Sequence, residues 1–257
     1  MNIGDQSPGI LRRRDLSHLR KGINRADLLI CISQATADEA RGLWPEKEIV
    51  VVPHGIDVAG FDPFSRPLPK PENFDYSKVN LLCVGSEEPR KRIDFLVEVL
   101  GSLPSHLKDE VVLHKVGAES SQKSKVKLSR HAQELGVNLR WVGRLSDLDL
   151  CCYYQHCDAL LFPSVAEGFG LPPLEAMASG CPVLVSDMPA HNEVAPEEWL
   201  LPHDSIDAWV DAIIELSTKP GRRQPNQTAL KRAAKFSIEE WSKSVAVAWN
   251  RLFKKTG

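Results

Sequence analysis

An α/β fold, a parallel sheet with helices on both faces, is predicted by three features of this chain. Short apolar runs alternate with longer amphipathic stretches from about residue 79 onward, the pattern of strand–helix units. Glycines close the apolar runs at 85, 117 and 143, where strand-to-helix turns call for them. With 42% apolar and 26% charged residues in 257 positions, the chain suffices for one large core, or for one domain plus a fragment of another.

The elements follow in order. Val79 to Gly85 reads as a strand ending in glycine, followed by a helix over about Ile93 to Leu103. Val111 to Gly117 is a second strand and Lys123 to Leu135 a second helix. Leu139 to Gly143 and Leu148 to His156 form a third pair. Asp158 to Ser164 is a short buried strand running into a loop, and Leu171 to Ser179 carries apolar residues at helical spacing. Pro172 and Pro173 are tolerable there, in a first turn whose amides lack intrahelical partners. A strand at Pro182 to Ser186, a shorter one near Trp199 to Leu201, and helices at Ile206 to Ser217 and Ile238 to Phe253 complete the series. Ahead of all this, Ala26 to Ser33 is a strand, Gln34 to Leu43 a helix, and Ile49 to Asp57 a strand and turn. Residues 59–77 hold Pro63, Pro67, Pro69 and Pro71 without periodicity and read as a linker.

Composition excludes several classes. A net charge of −2 gives no reason to expect nucleic acid. No apolar run approaches a membrane span, and no signal peptide is expected at the start. A peripheral membrane contact would have to come from Arg12-Arg13-Arg14 or Lys254-Lys255. The six cysteines, at 31, 83, 151, 152, 157 and 181, form no Cys-x-x-Cys pair and read as free thiols of a reducing cytoplasm. Cys151, Cys152, His156 and Cys157 lack the usual ligand spacing, so no metal site is expected.

The chemistry concentrates at Glu167-Gly168-Phe169-Gly170-Leu171-Pro172-Pro173-Leu174-Glu175. A loop carboxylate, a glycine turn and a helix start place Glu167 just before the helix and Glu175 about one turn inside it. Free amides at a helix N-terminus hold phosphate, and each carboxylate is an acceptor for paired hydroxyls. Phosphate with a polyol at each end describes a nucleotide sugar. A second basic loop, Gly85-Ser86-Glu87-Glu88-Pro89-Arg90-Lys91-Arg92, sets three cations beside a strand end and a helix start, which suits phosphate. An exposed basic helix start is the plainer alternative.

The run from Phe162 to Asp187 resembles the E-x7-E signature of retaining GT-B glycosyltransferases, most closely glycosyltransferase family 4, the glycosyl transferases group 1 domain. The resemblance implies a Rossmann-like domain that binds a nucleotide diphosphate sugar, with residues 78–235 as that domain. Residues 1–58 then look like a remnant of the N-terminal GT-B domain, 59–77 like the linker, and 236–257 like a helix returning toward the N-terminal domain. Such enzymes need no cofactor and no divalent metal, since Lys and Arg neutralise the diphosphate, and have no agreed protein nucleophile.

By the same resemblance Lys91 matches the family's phosphate lysine. The family's arginine falls at Ser86, a departure, and Arg90 is the nearest replacement. Leu145, in Gly143-Arg144-Leu145-Ser146-Asp147, lies where similar enzymes read the nucleobase through main-chain groups; Ser146 or Asp147 as a helix N-cap is the plainer role. Glu167 faces the sugar, Gly168, Phe169, Gly170 and Leu171 line sugar and phosphate through their main chain, and Glu175 holds the ribose. His54 reads as a turn residue near the domain junction, His114 as a core histidine, and His191 as a weak ligand candidate in a short loop near the cleft. The expected partners are GDP-mannose or a UDP-sugar as donor and a glycan, lipid-linked or small-molecule acceptor. In such enzymes the acceptor pocket belongs to the N-terminal domain, of which this chain holds a remnant, so three readings stay open: a truncated form, a second polypeptide that completes the site, or a nucleotide-sugar-binding chain that has lost catalysis. The implied location is the cytoplasm, at the inner face of the membrane where the acceptor is lipid-linked.

Overall fold

The computed structural model describes residues 9–72, 74–219 and 224–253. Lys254 and Lys255 lie outside the described residues, as do the side chains of Arg12, Arg13 and Arg14. Eight strands occur among the described residues: β1 (Leu29–Cys31), β2 (Ile49–Val51), β3 (Val79–Val84), β4 (Val111–Val116), β5 (Leu139–Gly143), β6 (Ala159–Phe162), β7 (Val183–Ser186) and β8 (Leu200–Leu201). The helices are α1 (Gly9–Arg25), α2 (Gln34–Leu43), α3 (Val58–Phe61), α4 (Ile93–Gly101), α5 (Ser105–Lys108), α6 (Gln122–Glu134), α7 (Asp147–His156), α8 (Leu171–Ala178), α9 (Pro189–Asn192), α10 (Ile206–Thr218), α11 (Gln227–Ala233) and α12 (Ile238–Phe253). No helix among the described residues is long and apolar enough to cross a membrane.

Strands β3 to β8 form one parallel sheet in the order β5-β4-β3-β6-β7-β8. Parallel strands need crossover helices on both faces, so central strands are buried on each side. β4 and β6 accordingly consist wholly of buried residues. One core layer includes Leu82, Leu160, Phe162, Leu174 and Met177; the other includes Leu81, Leu113, Leu161, Phe95, Trp209 and Ile213. Alternate residues of one strand, such as Leu81 and Leu82, therefore serve opposite layers.

β1 and β2 form a separate two-stranded parallel sheet, paired from Leu29–Ile49 to Cys31–Val51. α12 packs against it, with Ala248 and Val245 meeting Val50, Val52 and Leu28. The strand read at Ala26 to Ser33 is trimmed to its centre because Ser33 already caps α2, accepting from the Thr36 amide at 3.0 Å.

Residues 59–77, read as a linker, are packed against the rest of the fold at several points. Phe74 is 3% exposed and stacks on His114 at 4.4 Å. Gln155, on α7, donates to the carbonyls of Phe61 (3.2 Å) and Arg66 (3.0 Å) and accepts from the Leu68 amide (2.9 Å). One side chain thus ties three points of the segment, and His156 Nε2 meets the Leu68 carbonyl at 2.8 Å as a fourth.

Candidate functional site

From β3 the chain runs outward through β4 to β5; from β6 it runs the other way through β7 to β8. The neighbours β3 and β6 therefore mark the point where strand order reverses, and a crevice opens beyond their carboxyl ends. Gly85, Gly117 and Gly143 end β3, β4 and β5 at φ of 145°, 121° and 84°. At Gly117 the glycine is a packing necessity, because a Cβ would stand 2.6 Å from the Gly85 carbonyl oxygen.

The loop after β3 and the loop after β6 meet across the crevice. The Val165 amide donates to the Arg90 carbonyl at 2.9 Å, and the Ser164 hydroxyl lies 3.1 Å from the same oxygen. With the loops so joined, three donors converge on Oε1 of Glu167: Lys91 Nζ at 2.5 Å, Ser164 Oγ at 2.7 Å and an Arg90 guanidinium nitrogen at 2.9 Å. Lys91 Nζ also stands 4.8 Å above the Phe162 ring. Arg92 leaves the site. It adopts φ 49°, lies 4.3 Å over Phe95 and donates to the His203 carbonyl.

Ser86, where a family arginine was expected, donates to Glu88 at 3.0 Å, and Glu88 in turn accepts from Arg90 Nε at 2.8 Å. The chain Ser86–Glu88–Arg90–Glu167 thus holds Arg90 toward the crevice.

α8 starts beside this cluster. Gly170 occupies its N-cap position at φ 111°, a conformation that favours glycine. The amides of Phe169, Gly170 and Leu171 find no acceptor among the described residues, and the first turn of a helix is where such amides attract anions. The Phe169 ring is buried edge-on to His54 at 5.5 Å and to Phe236 at 5.7 Å. His54 therefore supports the turn from behind. The Leu145 side chain packs against the core, and Ser146 is the N-cap of α7.

Glu175 lies one turn into α8 and accepts from the Tyr154 hydroxyl at 3.0 Å. Burial raises its pKa, partly offset by the Tyr154 hydrogen bond. The two carboxylates serve different cavities. Glu167 lines one of about 590 Å³ with Thr36 and Glu39 of α2 and with Met188 and Pro189. Glu175 lines one of about 460 Å³ with Asp57, Arg66, Asp147 and Leu148.

Glu167, Lys91 and Arg90 are therefore brought into direct contact, while Glu175 and the Leu145 loop lie to the other side of the α8 start. Sequence reasoning missed Ser164 and Tyr154, which are defined by contacts between separate elements, and Glu88, which bridges Ser86 and Arg90 within one loop. Among the described residues no group of three or more His, Cys, Asp or Glu is placed to hold a metal ion, and all six cysteines are free.

Residues 65–235 match the family model described as glycosyl transferases group 1, and residues 3–59 match that of Glycosyltransferase Family 4. The chain belongs to the glycosyl transferases group 1 family. It is 34% identical over 178 residues to the serotype-specific mannosyltransferase WbdA of Escherichia coli, an alignment covering 65% of this chain and 21% of that protein. It is 28% identical over 247 residues to the lipopolysaccharide core biosynthesis mannosyltransferase LpsB of Rhizobium meliloti, covering 90% of this chain and 68% of that one. The chain thus spans from about a fifth to about two thirds of these relatives.

Among solved structures, HepE of Anabaena in complex with UDP and glucose superposes with a TM-score of 0.76 at 18% identity, covering 91% of this chain and 67% of that one. Sucrose-phosphate synthase of Thermosynechococcus elongatus gives 0.76 at 24% identity, covering 98% and 65%. The fold is that of the Rossmann-like GT-B glycosyltransferases.

Proposed function

We propose that this chain is the donor-binding part of a retaining, metal-independent glycosyltransferase that takes a hexosyl group from a nucleotide diphosphate sugar. The observation that carries this reading is the convergence of Lys91, Arg90 and Ser164 on Glu167 at the switch point, next to the amides that open α8. Breaking the anomeric carbon–oxygen bond leaves negative charge on the departing diphosphate. Fixed cations and amides stabilise that charge. Lys91 and Arg90 take the diphosphate with the amides of Gly170 and Leu171, Glu167 accepts from sugar hydroxyls, and Glu175 accepts from the ribose. The acceptor hydroxyl attacks from the face the diphosphate leaves, and its proton departs with the diphosphate.

Residues 78–235 are the donor domain in this reading. Residues 1–58 and 236–257 belong to the acceptor side, a division supported by the packing of α12 on β1 and β2. The mannosyltransferase names of WbdA and LpsB favour GDP-mannose as donor and a growing glycan or lipid-linked sugar as acceptor. A nucleotide-sugar-binding subunit that needs a separate acceptor-binding chain is the second reading. It is supported by exposed apolar side chains on β1 and α12, Ile30 at 49% and Trp249 at 55%.

Calorimetric titration of the full chain with UDP, GDP, ADP and their sugar conjugates, with EDTA and then with magnesium, tests the proposal. Binding of one series in EDTA, tighter with its sugar attached, is the expected result. No binding of any nucleotide under either condition overturns it. Turnover assayed on lipid-linked and soluble acceptors separates the two readings.

A further inference from the structure

His191, in α9, is 1% exposed, and its Nδ1 lies 2.8 Å from the Ser186 main-chain oxygen. A carbonyl only accepts, so Nδ1 carries the ring hydrogen and Nε2 holds a lone pair. That Nε2 is buried and has no hydrogen-bond partner. A buried acceptor left unmatched is costly, so each instance asks for an explanation.

The surroundings of the ring supply one. Phe162 meets it edge-on at 5.3 Å and carries Lys91 at 4.8 Å. On another side stands Gly170, at the start of α8. Where its side chain would begin, only His191 Cδ2 at 3.8 Å and Pro173 Cγ at 3.9 Å lie within 4 Å. The ring edge bearing Nε2 therefore walls a small opening beside the unpartnered amides. His114 makes an instructive contrast. Its Nδ1 is also unmatched, but Phe74 stacks on that ring at 4.4 Å and Tyr153 meets it edge-on at 5.8 Å. His114 is sealed in the core, whereas His191 borders the site.

We infer that His191 is a positioning residue for the bound sugar, its Nε2 accepting a hydrogen bond from a sugar hydroxyl that enters beside Gly170. The inference rests on the nucleotide-sugar reading above. The diphosphate has no hydrogen to donate at neutral pH, so within such a donor only hydroxyls of the sugar can satisfy an acceptor at this end of the crevice. Glu167 and His191 would then hold two hydroxyls of one sugar and fix its orientation over the departing phosphate.

The test compares the wild-type chain with His191→Asn and His191→Gln, titrating UDP, GDP, UDP-glucose and GDP-mannose. Asparagine can keep the bond to the Ser186 carbonyl but loses the acceptor at Nε2, whereas glutamine can reach it. In the Asn variant the bound conjugate is expected to weaken about tenfold, and its parent diphosphate to change by less than about twofold. The Gln variant should recover part of the loss. Equal losses for conjugate and diphosphate, or none, overturn the inference. Failure of the wild type to bind any nucleotide instead overturns the reading beneath it.

Should the Asn variant not fold, the ¹⁵N resonance of His191 Nε2 in the wild type decides. It is expected to move upfield with the bound conjugate and not with its diphosphate, and an unmoved resonance overturns the inference.

Discussion

One oxygen of Glu167 accepts from an ammonium, a guanidinium and a hydroxyl. Lys91 and Glu167 are each 13% exposed in their side chains, so water screens the pair only in part. A charge-assisted hydrogen bond of this kind contributes roughly 1.5–3 kcal/mol. Lys91→Ala is therefore expected to weaken nucleoside diphosphate binding by about 10- to 100-fold. Glu167→Ala should act on the sugar conjugate and spare the bare diphosphate, and circular dichroism should find both variants folded. Unchanged affinity in both would remove these residues from the site. Lys91 and Glu167 were legible because each sits in a local pattern: a basic loop after a strand, a carboxylate before a helix. Ser164 and Glu88 were not. Ser164 meets the Arg90 carbonyl only because two loops 74 positions apart are joined through the pairing of β3 with β6, and Glu88 takes its role from the local turn that sets it between Ser86 and Arg90.

Helix α2 has two caps at its N-terminus. Ser33 supplies the local one, and Glu193, from the loop after β7, accepts from the Gln34 and Ala35 amides at 2.7 and 2.8 Å. The Thr36 hydroxyl adds a bond to the Gly168 carbonyl at 3.3 Å. A carboxylate at a helix start satisfies orphan amides and complements the dipole. Glu193→Ala is accordingly expected to destabilise the chain by about 1–2 kcal/mol. Hydrogen exchange should speed up first at Gln34 and Ala35; unchanged exchange there would refute the second cap. α2 itself was legible to the residue, from Gln34 to Leu43, although Ser33, its cap, read as the end of the preceding strand. α9 and α11 were not. Four and seven residues give too few turns for a period, and both helices rest on tertiary contacts such as Arg232 donating to the Glu193 and Val194 carbonyls.

Across the whole molecule, the sheet encloses a titratable group that sets an acid limit. His114 is fully buried on β4, its Nε2 is 2.9 Å from Asn80 Oδ1, and burial pushes its pKa down from 6.5 to about 4. The unfolded chain binds the proton more readily, so stability should rise with pH between about 4 and 6.5 and be lost as pH falls through that window. The loss is on the order of 3 kcal/mol from this group. His191, also lowered by burial, adds in the same sense, while the raised carboxyl of Glu175 acts oppositely above its usual range. In urea unfolding at pH 7 and pH 4.5, His114→Gln is expected to narrow the difference between the two midpoints. An undiminished difference would assign the acid sensitivity elsewhere. The α/β class and the strands of the main sheet could be read ahead chiefly because β3, β4, β6 and β7 are buried, largely apolar runs. The course of residues 59–77 could not, because proline content says where hydrogen bonds cannot go, not what Phe74 and Gln155 will grasp.

Gly60, Phe61 and Arg66, at the start of that strapped segment, help wall the cavity that Glu175 faces. A molecule filling the cavity and the seating of the strap therefore draw on one shared free energy. For a molecule that binds there only with the strap seated, loosening the Gln155 ties weakens binding by the factor by which binding resists the loosening.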